Sequence, residues 1–326
     1  MSAPLRIAFL GTPPFAAVCL SAILESRHQV IGVVTAPDRP AGRGHRMTAS
    51  AVKECALKHQ IPVLQPEKLR DPVFINQWDE WRIDLAVVVA FRMLPEVLWN
   101  RPALGTVNLH ASLLPQLRGA APIQRAIMAG FERTGVTTFR LQHEIDTGDV
   151  LGTIPVSIGP NVNAGELHDL LLEAGKELLI QTLDGLSLGT IKPLPQDQLL
   201  GHDVKLITAP KLFKKDMKVD WNRTSKEVHN HVRGLNPFPG AWATYSWSQN
   251  ETQSLKIQSG APAQWPGDIT AVAGTCLQDD SGRLVVRCRV DAFQLHKITP
   301  PGKKSMDSAE WIRGLPNEIK NLKMTS

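Results

Sequence analysis

Residues Leu85 to Ala90 read Leu-Ala-Val-Val-Val-Ala, and with Phe91 they form the longest purely apolar run in the chain. The run is far below the ~20 residues that a membrane-crossing helix requires. Its branched residues favour a strand, and a strand with no polar side is hidden on both faces, as in a parallel sheet. Such a sheet needs helices on each face, so the flanking sequence has to alternate strand and helix. Strands are expected at Arg6 to Leu10 and Gln29 to Thr35, around a helix from about Phe15 to Ser26. Thr106 to His110, Val136 to Gln142 and Val150 to Val156 read as further strands, and Pro122 opens a helix that ends near Gly130. A longer helix is predicted over Gly165 to Leu188, with Leu167, Leu170, Leu171, Ala174, Leu178 and Leu179 at helical spacing. The alternation predicts a doubly wound, Rossmann-like α/β domain over residues 1–190.

Beyond Gly189 the pattern changes. Lys192-Pro193-Leu194-Pro195-Gln196 reads as an extended linker over 191–206, because each proline restricts its predecessor. A short helix is expected from Thr224 to Arg233, capped by Thr224 or Ser225. Short strand-like runs follow at Ala243–Trp247, Ser254–Ile257, Gly274–Leu277 and Arg283–Val290, broken by Gly, Pro and Asn. They predict a small all-β barrel over 207–326. Trp221, Trp242 and Trp247 are expected in its core, and Pro237 and Pro239 at its entrance.

The net charge of +5 is unevenly distributed. Residues 1–205 carry 19 Lys and Arg against 20 Asp and Glu, whereas 206–326 carry 17 against 11. A basic C-terminal third points to a polyanion, nucleic acid first, although charge runs often form solvated faces. The Lys211, Lys214, Lys215, Lys218 run and the Lys303-Lys304 pair, with Lys297, make up two such clusters. The four cysteines are too few and scattered for a disulfide scaffold or zinc site, which fits a reducing cytoplasm. Met1 to Arg6 meets the first strand too soon for a secretory leader. His229 and His231, two apart on a helix, do not share a face and are not read as metal ligands.

The chemistry concentrates in Val107-Asn108-Leu109-His110-Ala111-Ser112-Leu113-Leu114-Pro115, followed by Asp146-Thr147-Gly148-Asp149. On a strand, Val107 and Leu109 face one way and Asn108 and His110 the other. Ser112 and Pro115 then break the strand, placing the pair at its carboxyl end, where open α/β sheets bind ligands. Asn108 supplies an amide donor, His110 a proton exchanger and Asp146 a carboxylate to orient the imidazole. By spacing alone, Asn and His two apart also describe satisfied loop-entry residues.

These motifs resemble the folate-dependent formyltransferases. Supporting stretches are Gly11-Thr12-Pro13 with Phe15-Ala16, Pro37-Asp38-Arg39-Pro40-Ala41-Gly42-Arg43-Gly44, Arg118-Gly119-Ala120-Ala121-Pro122-Ile123-Gln124, Asn236-Pro237-Phe238-Pro239 and Pro301-Gly302-Lys303-Lys304. They run nearly the whole length and are most similar to the branch that formylates methionyl-initiator tRNA. The resemblance implies an OB-like C-terminal barrel, which pattern alone does not distinguish from another small barrel. It also implies 10-formyltetrahydrofolate as co-substrate, no metal, a monomer, and catalytic roles for Asn108, His110 and Asp146. In the family, the loop holding Phe91, Met93 and Leu94 and the loop holding Ser112, Leu113, Leu114 and Pro115 line the pterin pocket. Here Ala90-Phe91-Arg92-Met93-Leu94-Pro95 departs from the common Ala-Tyr-Gly-x-x-Leu-Pro by losing the glycine and one residue.

Pro37 to Met47 is the expected substrate discriminator, read as a flexible, positive loop with Arg39, Arg43, His45 and Arg46. Arginine's fork of donors suits phosphates and base edges. The resemblance implies that this loop enters the acceptor stem, with Arg43 foremost, while Lys303 and Lys304, read as a charge cluster, are candidates for RNA contact. The competing acceptor is a small amine or nucleotide sugar. A nicotinamide oxidoreductase is disfavoured, because Gly11-Thr12-Pro13-Pro14 carries no Gly-x-Gly-x-x-Gly.

Overall fold

The computed structural model describes residues 3–41, 46–199, 205–248, 251–315 and 322–325. The chain divides into two compact units, one of residues 1–119, 134–157 and 169–208, the other of 120–133, 158–168 and 209–326. Each is built around its own sheet.

The first sheet begins with β1 (Arg6–Gly11), α1 (Pro14–Leu24) and β2 (Gln29–Val34). A short hairpin, β3 (Arg39–Ala41) and β4 (Arg46–Thr48), precedes α2 (Ala51–Lys58), β5 (Val63–Leu64) and α3 (Pro72–Glu80). Then come β6 (Leu85–Val89), α4 (Glu96–Trp99), β7 (Thr106–His110), α5 (Pro122–Met128), β8 (Arg133–Arg140) and β9 (Val150–Ser157). The strand order is β5-β2-β1-β6-β7-β8-β9. Pairing is parallel from β5 through β7, and β8 runs antiparallel to β7, so the Rossmann-like core carries a mixed edge.

Every residue of β6 is buried, as its unbroken apolar run requires. In α1, Pro14 occupies the first turn, where its missing N–H costs nothing, and Phe15, Ala16, Cys19, Leu20 and Ile23 form the buried face. The helix approaches closely where β1 ends: a Cβ on Gly11 would lie 2.6 Å from that of Ala16 and 3.0 Å from the Val89 carbonyl. Hydrophobic packing of Leu10, Val88, Leu94, Leu98, Phe74 and Trp78 fixes the carboxyl edges of β1 and β6 beneath the loops that follow them.

The long helix α6 (Ala164–Leu188) is capped by Asn163, whose side chain accepts from the Gly165 and Glu166 N–H groups at 2.9 and 3.0 Å. Leu167, Leu171, Leu178, Leu179 and Leu183 are buried. Leu170, expected in the same stripe, is instead 47% exposed, because it falls one step off the face set by Leu167 and Leu171.

In the second unit, α7 (Ser225–Leu235) starts at Thr224 in a capping box with Glu227. Six further strands follow: β10 (Ala241–Ser248), β11 (Glu251–Ala263), β12 (Cys276–Gln278), β13 (Leu284–Arg287), β14 (Ala292–Thr299) and, beyond it, β15 (Met306–Asp307). After α8 (Ser308–Arg313), β16 (Lys323–Thr325) completes the set. Their order is β12-β13-β14-β11-β10-β16, with antiparallel pairing throughout. A bridge between Thr275 and Lys323 draws the two outer strands together into a nearly closed barrel. Tyr245, Leu255, Ile257, Phe293, Leu295 and Trp311 are among the side chains filling it.

Two further expectations are corrected here. The Pro37 to Met47 segment is no plain flexible loop, since Arg39 to Ala41 pairs in register with Arg46 to Thr48. Its base is pinned where Asp38 accepts from Lys53 Nζ at 2.5 Å and Gln65 Nε2 at 2.8 Å. Arg43 and His45 lie outside the described residues. Trp221 is buried in the barrel core, but Trp242 is not: Ala241, Ala243 and Tyr245 take the inward positions of β10 and turn Trp242 out. There Lys214 and Lys218 Nζ stand 5.8 and 5.6 Å from its ring centre. Within the segment expected as the linker, Leu194 pairs with Val150 through two backbone hydrogen bonds of 2.8 and 2.9 Å.

Candidate active site

β7 delivers Asn108 and His110 to the carboxyl edge of the sheet on one face, while Val107 and Leu109 are buried opposite. Asn108 is half-buried, and its amide has no hydrogen-bond partner among the described residues. His110 is only 7% exposed, its ring edge-on to Phe139 with centroids 6.5 Å apart. Its Nε2 lies 3.0 Å from the Leu117 carbonyl oxygen. A carbonyl only accepts, so Nε2 carries the hydrogen and donates it, which leaves Nδ1 as the ring's free nitrogen.

Nδ1 faces the Asp146 carboxylate, with Oδ2 at 3.9 Å. That is too far for a direct hydrogen bond. The Gly119 N–H donates to the same oxygen at 2.9 Å, so the carboxylate is anchored by the backbone. Asp146 itself sits at φ +55, in the left-handed region that Asp tolerates better than most residues. Gly148 explains the small residue of the Asp-Thr-Gly motif: a Cβ there would meet the Arg140 carbonyl oxygen at 1.7 Å.

The loop after β7 is braced internally. Ser112 is fully buried and its hydroxyl donates to the Gln116 carbonyl at 2.6 Å. Thr137 Oγ1 donates to the Ser112 carbonyl at 2.7 Å and accepts from the Leu114 N–H at 3.1 Å. Leu114 and Pro115 are buried, whereas Leu113 remains half-exposed. On the neighbouring loop, Leu94 belongs to the core, Phe91 packs half-buried against it, and Met93 is 74% exposed. Arg92 folds back from this loop, donating to the Glu67 carbonyl at 2.7 Å and to Pro66, with its guanidinium 5.7 Å from the Phe91 ring centre. Phe91, Met93 and Leu113 thus leave apolar surface at the same sheet edge as Asn108 and His110.

Sequence reasoning brought Asn108, His110 and Asp146 to one edge, as the structure does. It missed Gln196, placed in the linker yet 4% exposed. Gln196 Nε2 donates to the Asp146 and Gly148 carbonyls at 2.9 and 2.8 Å, and its Oε1 accepts from Arg118 at 2.7 and 3.1 Å. Its partners are mostly backbone oxygens, which leave no trace in a side-chain pattern.

Of the basic residues, Arg39, Lys297, Lys303 and Lys304 are exposed. Of Arg46 the backbone is described, in β4. Among the described residues no group of three His, Cys, Asp or Glu could hold a metal, and no helix is long and apolar enough to cross a membrane. His229, set aside above as a ligand, has Nδ1 and Nε2 each 3.2 Å from a backbone carbonyl, those of Gly260 and Pro160.

Comparison with known proteins identifies the family. Residues 5–183 match the model of the formyl transferase family, and residues 211–316 match that of the formyl transferase C-terminal domain. A methionyl-tRNA formyltransferase of Bacteroides fragilis is 44% identical over 310 residues, 95% of each chain. The fold is shared with HypX from Aquifex aeolicus in complex with tetrahydrofolic acid, at a TM-score of 0.60 and 19% identity over 94% of this chain and 47% of that one. It is shared equally with an N-formyltransferase from Helicobacter canadensis in complex with folinic acid and dTDP-3-aminofucose, at a TM-score of 0.61 and 17% identity over 91% and 98%. With both family models matched in chain order, and a sheet-edge site of Asn, His and Asp in the first, the chain belongs to the formyl transferase family.

Proposed function

We propose that this protein transfers the formyl group of 10-formyltetrahydrofolate to the amino group of methionyl-initiator tRNA, the charged tRNA that begins translation. The observation that carries the reading is the 44% identity to a methionyl-tRNA formyltransferase, which runs through 95% of the chain and so through both units. The basic excess after residue 205 supports an RNA substrate.

When bound, the folate supplies the formyl carbon and later a nitrogen leaving group. Phe91, Met93 and Leu113 offer it an apolar edge, and the backbone of the two loops offers hydrogen-bonding groups for a flat heterocycle. Ser112 takes part through its backbone, since its hydroxyl is already committed to Gln116.

In this mechanism the unpartnered Asn108 amide donates to the oxygen that gains negative charge as the amine attacks. One such donor typically lowers a barrier by ~3–4 kcal/mol. Holding the amine and formyl carbon in register contributes up to roughly 7–11 kcal/mol. His110, fixed by the Leu117 carbonyl at Nε2, uses Nδ1 to take the proton the amine releases and to return it to the departing nitrogen. The 3.9 Å between Nδ1 and Asp146 is a span that one water bridges, so the carboxylate steadies the ring and relays the proton. No covalent enzyme intermediate enters this route.

Arg39, Arg43 and Arg46 of the hairpin grip the acceptor end of the tRNA, and Lys303 and Lys304 contact its backbone on the C-terminal unit. In functional terms 1–190 is the catalytic domain, 191–206 the linker and 207–326 the tRNA-binding domain. The enzyme acts as a monomer in the reducing cytoplasm, where its thiols at Cys19, Cys55, Cys276 and Cys288 stay free.

The test is formyl incorporation from 10-formyltetrahydrofolate into methionyl-tRNA, beside free methionine, uncharged tRNA and an amino sugar nucleotide. Transfer to charged initiator tRNA alone is expected. Transfer to the amino sugar nucleotide instead would replace this reading with the small-amine one.

A further inference from the structure

The two contacts that define the His110 ring come from two separate stretches of chain. Leu117 holds Nε2, and Asp146 faces Nδ1 while Gly119 anchors its carboxylate. A side chain from outside both stretches bonds to each of them, and it is none of the three residues of the catalytic motif. Gln196 donates to the carbonyls of Asp146 and Gly148 on one side and accepts from Arg118, between Leu117 and Gly119, on the other.

The amide is fully used. Both N–H donors go to carbonyls that only accept, and both lone pairs of Oε1 go to a guanidinium that only donates, so its orientation has no alternative. It is also buried, which removes water as a substitute partner and raises the cost of leaving any of these groups unmade. The segment that carries it is tied in turn to the same walls. Leu194 is paired with Val150, and the Leu117 N–H donates to the Ile207 carbonyl at 2.7 Å. Gln116 donates through Nε2 to the Lys205 carbonyl at 3.0 Å and accepts the Ile207 N–H at 2.9 Å.

We infer that Gln196 is a positioning residue for the formyl transfer. It holds the Asp146 turn and the Leu117 to Gly119 turn at a fixed separation, and thereby sets the gap across which His110 and Asp146 exchange a proton. The inference rests on the proposed reaction for its kinetic readout, but its geometric content does not.

Glutamine is specific here. Asparagine reaches a carbon short of at least one wall. Glutamate keeps the Arg118 contact but turns an acceptor towards two carbonyl oxygens. Methionine fills the space and satisfies neither side. Gln196→Met is therefore expected to lower kcat by about 10- to 100-fold, the penalty of misplacing a reacting group by a fraction of an ångström to an ångström. KM for the folate and for methionyl-tRNA should stay within about threefold, because neither substrate touches the amide. The decisive comparison is made in an Asp146→Asn background. There Gln196→Met should cost less than about twofold further, since a residue acting through Asp146 has nothing left to act on.

Should Gln196→Met not fold, Gln196→Glu carries the same test with Arg118 still paired. The imidazole 15N signals of His110 give a readout free of any substrate and are expected to move in either variant. Absence of turnover in the wild type would count against the proposed reaction and leave the His110 signals to judge Gln196. A kcat within about twofold of wild type, an effect on KM alone, an undiminished loss in the Asp146→Asn background, or unmoved His110 signals would each overturn the assignment.

Discussion

His110 Nδ1 and Asp146 Oδ2 stand 3.9 Å apart, and each side chain is held by the backbone, one by the Leu117 carbonyl and the other by the Gly119 N–H. The gap is thus a property of the backbone around it and not of two loose side chains. An imidazole locked at Nε2 can exchange protons only through Nδ1, which narrows the mechanism to one ring nitrogen.

Removal of either partner should therefore damage chemistry and spare binding. His110→Ala is expected to lower kcat by ~10²–10⁴ and Asn108→Ala by ~10²–10³. Asp146→Ala should lower kcat by ~10²–10⁴ while tRNA binding, followed by filter retention, stays near wild type. Wild-type turnover in Asp146→Ala would remove it from the mechanism.

The Asp-Thr-Gly turn should tolerate no side chain at its third residue. A Cβ on Gly148 meets the Arg140 carbonyl at 1.7 Å, and a backbone atom cannot swing away as a side chain does. Gly148→Ala is expected to cost about 2–4 kcal/mol in urea unfolding. Gly189→Ala, at φ +67 with nothing within 4 Å, should cost only about 1 kcal/mol. Equal losses at the two sites would contradict the close approach.

Arg43→Ala should raise KM for methionyl-tRNA by roughly tenfold with little change in folate affinity. Replacing Lys303 and Lys304 together by alanine should weaken binding across tRNAs and reduce the slope of log Kd against log salt by about 1–2. An unchanged specificity constant for Arg43→Ala would take the hairpin out of recognition.

Acid stability should report the cap of α7. The Thr224 N–H and hydroxyl donate to Glu227 at 2.8 and 2.7 Å and hold its carboxyl below the ordinary glutamate range. A folded value depressed in this way stabilises the fold above the unfolded glutamate value, near pH ~4.3, and the stabilisation disappears as pH falls through the folded value. Glu227→Gln is expected to flatten the fall in unfolding free energy below about pH 4.5 while leaving the neutral-pH slope alone. A parallel profile for both proteins would show that the carboxylate contributes nothing there.

The readable parts of the sequence were those where side chains carry the information. The apolar run of β6, the alternation that places Asn108 and His110 on one face of β7, and Pro122 at the start of α5 follow from period and from proline's missing N–H. The barrel was legible as short strands, but its closure was not. β14 (Ala292–Thr299) is hidden in the sequence because Gln294, His296 and Lys297 interrupt its apolar positions, and β11 runs through Gly260 and Pro262, which look like breaks. Trp242 is apolar enough to suit the core, although the small residues on either side claim the inward register. Gln196 was invisible for another reason. Its role is to satisfy carbonyls, and carbonyls belong to every residue alike.

The bonds from Gln196 and Ile207 back to Leu117, Arg118 and the Asp146 turn also set an order of events during synthesis. When His110 first leaves the ribosome, the strand that carries it can pair, but the walls that define its environment have not yet emerged. Nearly a hundred residues more must follow before the bracing segment arrives, several seconds at ordinary elongation rates of about 5–20 residues per second. The nascent chain therefore holds its reactive imidazole in an unfinished setting and gains a working site only as the basic C-terminal unit begins to emerge.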